Sequence, residues 1–107
     1  MTKVTINPGV CGFVTKVEAV AEDGVNATLT VQTDCKSVRK MIDELGSTYS
    51  GYDVCLRKPG TGVFYEYAAN NQYDQHCACA VISGIIKCIE AECQLALPRD
   101  VSVTFEK

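Results

Sequence analysis

The chain has 107 residues, 47% hydrophobic and 21% charged, with a net charge of −3, which is enough for one domain spanning 1–107 to bury a core unaided. An acidic balance with scattered Lys and Arg excludes a phosphate-binding surface, so neither nucleic acid nor an anionic membrane is expected as a partner. No segment approaches the roughly eighteen apolar residues of a membrane span, and the opening Met-Thr-Lys-Val-Thr-Ile has no signal-peptide core, so the expected compartment is the cytoplasm, where thiols stay reduced.

"KVTI" reads as a first short strand, and "NPGVCG" after it as a loop punctuated by proline and glycine, which places Cys11 in a loop. "FVTKVEAVAEDGVNATLTVQT" is two alternating runs joined by Asp23-Gly24, the signature of a hairpin with a tight type I′ turn. On its second run Ala27, Leu29, Val31 and Thr33 share one face and Thr28, Thr30 and Gln32 the other, so one side of the sheet is expected to be buried and the other wet.

"CKSVRKMIDELG" spaces Val38, Met41, Ile42 and Leu45 as a helix does, with Asp34 as its cap, Cys35 as its first residue and Gly46 as its stop. Lys36, Arg39 and Lys40 form its solvated face. The amides that open a helix attract anions, which makes a cysteine placed there notable.

Residues 47–75 form an irregular middle. "YDVCLR" alternates like a strand, with Cys55 opposite Val54 and Leu56. "TGVFYEYAANN" could be a strand by its aromatics or a short helix capped by Thr61, the Glu, Ala and Ala that follow the aromatics favouring the helix. A last helix spans Ala80 to Leu97, with Ile82, Ile85, Ile86, Ile89, Cys93 and Ala96 on its apolar stripe and Cys88 at the border. Pro98 ends it, and "DVSVTF" reads as a closing strand. The expected architecture is α+β, in the order β-β-β-α-(irregular middle)-α-β, with a mainly antiparallel sheet and both helices on one face. Leu29, Val31, Val38, Ile42, Ile82, Ile86, Ile89 and Val103 are expected to meet in its core.

Seven cysteines is an odd and high count for such a chain. With a reducing compartment and a sufficient core, this disfavours a disulfide framework and leaves metal binding, redox chemistry or plain burial. Cys93 reads as a core residue and Cys55 as structural or incidental, while at Cys88, on the border of the stripe, both readings are open. In "HCACAV", the C-x-C of Cys77 and Cys79 in extended chain would set both sulfurs on one side, within reach of a single ion. Two further ligands would come from loop-borne Cys11 and helix-opening Cys35, because neither belongs to an apolar stripe. His76, the only histidine, would point the other way and reads as a solvated imidazole.

For Cys11 and Cys35 to meet the C-x-C, both long helices must start at one end of the sheet and run roughly parallel. Other motifs are weaker: "KPGTGVF" lacks the phosphate-loop pattern, and no nucleophile elbow supports a serine hydrolase.

"INPGVCGF" together with "HCACAVISGIIKCIEAECQLALPRDVSV" resembles a small uncharacterised cysteine-rich family of anaerobic bacteria and archaea, a likeness that covers nearly the whole chain. It implies an anaerobic habitat and no particular activity. "TVQTDCKSVRK" is similar to the strand-then-cysteine-opened helix of iron–sulfur scaffold proteins and TSCPD-type cysteine domains, a likeness that rests on Cys35 alone.

The expectation is a small cytoplasmic protein, more carrier than enzyme, that holds an iron–sulfur cluster or zinc through Cys11, Cys35, Cys77 and Cys79, with a protein partner in metal or sulfur transfer. The alternatives are a thiol-redox or sulfur-carrier protein using Cys77 and Cys79, or an interaction module whose cysteines are idle.

Overall fold

The computed structural model describes residues 1–71 and 76–107. Its elements are β1 (Thr2–Ile6), β2 (Thr15–Val20), β3 (Asn26–Thr33), α1 (Lys36–Leu45), β4 (Thr48–Ser50), α2 (Gly51–Cys55), α3 (Val63–Asn70) and α4 (Ala80–Glu92). The strands form one antiparallel sheet in the order β1-β2-β3-β4. Because side chains alternate across a strand, the register stacks Val4, Val17 and Val31 in one row and Thr2, Ala19 and Leu29 in the next, with Tyr49 beside Ala27. This face carries the core, and the opposite face presents Lys3, Thr5, Lys16, Thr28, Thr30 and Gln32 to solvent.

Both long helices cover the packed face. α4 lies on β1 and β2, and α1 on β3. Val38 and Met41 of α1, Phe64 of α3 and Val81, Ile82, Ile85, Cys88 and Ile89 of α4 close over Val17, Ala19, Ala27 and Leu29. Each large side chain buried in this way contributes about 1.5–3 kcal/mol relative to exposure. Tyr49 stacks against Phe64 with ring centroids 4.8 Å apart and its hydroxyl donates to the carbonyl of Gly46. The one buried polar side chain among the described residues, Thr15, shares a 2.8 Å hydrogen bond with Thr33.

Several local expectations are corrected. The β2–β3 hairpin has no type I′ turn: that turn needs positive φ at both central residues, and here only Gly24 has it (φ 74°). The connection is the longer Ala21–Val25, held by the Asp23 carboxylate, which accepts from the amides of Val25 (2.9 Å) and Asn26 (2.8 Å). α1 starts one residue late, with Cys35 rather than Asp34 at the cap.

"YDVC" is helical. Ser50 accepts from the amide of Asp53 and opens α2, so alternation there was incidental to a short helix. α3 forms as expected, but its cap is Gly62, while the hydroxyl of Thr61 donates to the carbonyl of Lys58. Positions 72–75 of the expected irregular middle lie outside the described residues.

α4 stops at Glu92, short of Leu97. Gln94 takes a left-handed conformation (φ 59°), and the amides of Leu95 and Gln94 return to the carbonyls of Glu90 (2.8 Å) and Ala91 (3.2 Å). These are the two bonds of a Schellman ending. Leu95 then packs against the core, so burying its side chain and satisfying the last carbonyls outweighs the strain of a non-glycine residue at positive φ. The closing strand does not form: Val101, Val103 and Phe105 stand 71, 85 and 90% exposed. Val103 is therefore absent from the core, whereas Leu29, Val38, Ile82 and Ile89 lie in it and Val31, Ile42 and Ile86 at its margin.

A candidate thiol site at one end of the sheet

Pairing of Ile6 with Thr15, and of Thr15 with Thr33, puts the end of β1, the start of β2 and the end of β3 side by side. The 7–14 loop with Cys11 and the start of α1 with Cys35 therefore share this end. The position of α4 follows from its neighbours. A Cβ added at Gly84 would lie 2.5 Å from Cδ1 of Ile6. Farther along, the Cys88 thiol lies 3.4 Å from the carbonyl of Thr2, and Glu92 accepts from the hydroxyl of Thr2 at 2.7 Å.

α4 thus runs against β1 and begins at the Ile6 end, where Cys77 and Cys79 precede it. α1 runs back along β3 toward Ser47, whose carbonyl accepts from the amide of Leu29 (2.7 Å). Both long helices start at one end of the sheet and run roughly parallel, as the four-cysteine arrangement requires.

Sharing an end does not make the four sulfurs neighbours. Cys11 sits exposed on a tight turn closed by a bond from the Gly12 amide to the Gly9 carbonyl (3.0 Å). Cys35 is buried in the core behind α1. Cys77 is exposed and Cys79 half-buried. The C-x-C is not extended chain either: the amide of Cys79 donates to the carbonyl of His76 at 3.0 Å, so His76–Cys79 is a turn, with Cys79 as the N-cap of α4 and His76 exposed. Among the described residues, no three His, Cys, Asp or Glu side chains are grouped so as to hold a metal ion.

No motif in the chain pointed to Tyr65. Burial first, and then the charges of Cys77 and Cys79, raise the pKa of its hydroxyl, so α3 brings a phenol within electrostatic range of the C-x-C. An aromatic on a short helix carries no motif, and only the packing of α3 identifies it.

Of the other three cysteines, Cys88 and Cys93 are buried and Cys55 is half-buried. Burial pushes the Cys88 thiol up to about 11, with Glu92 adding to the effect. Its sulfur lies within hydrogen-bond reach of the carbonyls of Thr2 (3.4 Å) and Val17 (3.8 Å). The Cys55 thiol is likewise pushed up to about 11 by burial, then by Glu90 and Cys93, and donates to the carbonyl of Ile86. Cys93 reaches the carbonyl of Val25, and burial raises its pKa too. A groove of about 630 Å³ between α1, α2 and α3 is lined by Leu45, Arg57, Glu66, Tyr67 and Asn70, among others, and no cysteine lines it.

A family model described as a family of unknown function (DUF6951) matches residues 2–105. The chain belongs to that family. No curated protein matches the chain, and no solved structure does. The family match takes in the 7–14 loop, the C-x-C turn and the exposed segment after Pro98. No helix among the described residues is long and apolar enough to cross a membrane.

Proposed function

We propose that the protein is a thiol-exchange protein that works through Cys77 and Cys79. The observation that carries this reading is the division of the cysteines: Cys77 lies exposed and Cys79 half-buried, two residues apart, at the start of α4, while Cys88 and Cys93 are buried and the half-buried Cys55 gives its thiol to the carbonyl of Ile86. In the proposed exchange the more exposed Cys77, as thiolate, attacks a disulfide of a partner protein and displaces one partner thiolate. The Cys79 thiolate then attacks the Cys77 sulfur, forming the Cys77–Cys79 disulfide and releasing the second partner thiolate. Two electrons pass to the partner, and the two protons lost by the cysteines end on its thiols.

The metal reading rests on a different observation, the arrival of Cys11 and Cys35 at the same end of the sheet. Four thiolates suit both zinc and an iron–sulfur cluster. Such a site requires the 7–14 loop and the 76–79 turn to close on Cys35.

Elemental analysis of anaerobically purified protein, followed by limited alkylation and peptide mapping, separates the two. The exchange reading expects no stoichiometric metal, Cys77 modified first, and a Cys77–Cys79 disulfide after mild oxidation. Near-stoichiometric zinc or iron, with Cys77 and Cys79 protected until a chelator is added, would replace it with the metal reading.

A further inference from the structure

The segment after Pro98 has the pattern of a strand and pairs with no strand of its own sheet. Val101, Val103 and Phe105 alternate with Ser102 and Thr104, and all three apolar side chains are exposed. Exposed apolar residues in that regular order mark a surface that is covered by something, and the segment lies inside the stretch matched by the family model.

The same molecule has a matching vacancy. β1 is the end strand of the sheet, and among the described residues nothing pairs with its outer edge. A free edge is a template for another strand. Where the packed face of the sheet ends, Val4 is only half-buried.

We infer that residues 100–105 of one copy add as a strand to the β1 edge of a second copy. The two fit in length, in pattern and in charge. Six residues meet the five of β1. With Val101, Val103 and Phe105 continuing the face of Val4 and Ile6, Asp100, Ser102 and Thr104 fall on the wet face beside Lys3 and Thr5, so an acid meets the base of β1.

The geometry closes as a pair. Glu92, at the end of α4, holds the hydroxyl of Thr2, so the helix that precedes the segment ends beside the strand that receives its counterpart. Each copy then offers one donor segment and one acceptor edge, and a two-fold axis satisfies both at once. The occupant is a second copy rather than the same chain, because the turn about Pro98, closed by the Arg99 amide on the carbonyl of Leu97 (2.9 Å), leads the segment off its own surface.

Light scattering on the full chain, under reducing conditions that exclude a bridge through exposed Cys11 or Cys77, is expected to give twice 11.6 kDa. The triple variant V101D/V103D/F105D, altered only at exposed positions, is expected to give 11.6 kDa with an unchanged circular dichroism spectrum. Hydrogen exchange locates the acceptor: amides within Thr2–Ile6 are expected to exchange at least about tenfold faster in the triple variant. A monomeric wild type, including one whose β1 is protected by its own segment, overturns the inference. So does a dimer that survives the triple substitution, or a lost dimer with β1 exchange unchanged.

Discussion

Two regions of the molecule handle the same side chain in opposite ways. Along α4 and α2, Cys88, Cys93 and Cys55 are fitted against backbone carbonyls, and burial pushes their thiols up, those of Cys55 and Cys88 to about 11. At the end of the sheet where β1 and β3 finish, Cys11 and Cys77 stand exposed and Cys79 half-exposed. The thiolate is the reactive form of cysteine, so packing has made the first set inert and left the second available. Seven cysteines therefore do not make one cysteine-rich site. They make a core that uses sulfur as a small apolar filler, and a separate end where sulfur meets solvent.

The widest gap between the regions is expected in thiol reactivity. Under native conditions Cys77 and Cys11 should alkylate at least about a thousandfold faster than Cys88, which becomes reachable only through opening of the fold. Time-resolved alkylation with peptide mapping checks this, and comparable rates would erase the distinction.

Next in size is packing. Phe64→Ala removes a fully buried ring that also stacks on Tyr49 and is expected to cost about 3–5 kcal/mol in urea unfolding. Gly51→Ala tests the sulfur-lined seam directly. The new Cβ would lie 2.5 Å from the Cys93 sulfur and 3.3 Å from the carbonyl of Val25, for an expected loss of about 1–3 kcal/mol. At the open end, Cys77→Ser should change stability by less than about 0.5 kcal/mol while abolishing the proposed exchange.

The pH dependence sharpens the contrast from both sides. A native thiol whose pKa is raised keeps a proton that the unfolded chain releases, so its contribution is intact below the unfolded value of 9.0 and is lost as pH rises through about 11. Stability should fall over that interval, and Cys88→Ala should flatten the fall while lowering neutral stability by about 1 kcal/mol.

The smallest effect is expected on the acid side. Glu92 is held below its usual 4.5 by hydrogen bonds from the hydroxyl of Thr2 and the amide of Ala21. Its contribution is present above the unfolded value and lost as pH falls through the lower native one. Glu92→Gln should weaken that acid dependence, measured as urea midpoints at successive pH values.

Alternation and helical spacing were enough, from the sequence alone, to determine β1, β2, β3, α1 and α4, the buried face of the sheet and the burial of Cys93, because those patterns record which side of each element meets the core. The shared end followed as well, since an antiparallel β2–β3 pair must return Cys35 to the level of the 7–14 loop. Tertiary structure decided the rest. "YDVC" alternates, yet Ser50 and the close seat of Gly51 against Cys93 make it helical. "DVSVTF" also alternates, yet a strand needs a neighbour to take its hydrogen bonds, and the segment pairs with no strand of its own sheet. Whether a cysteine is filler or reagent was likewise undetermined at Cys35, Cys55 and Cys88, because a thiol is small enough to suit either place. Only what packs around the sulfur decides between them.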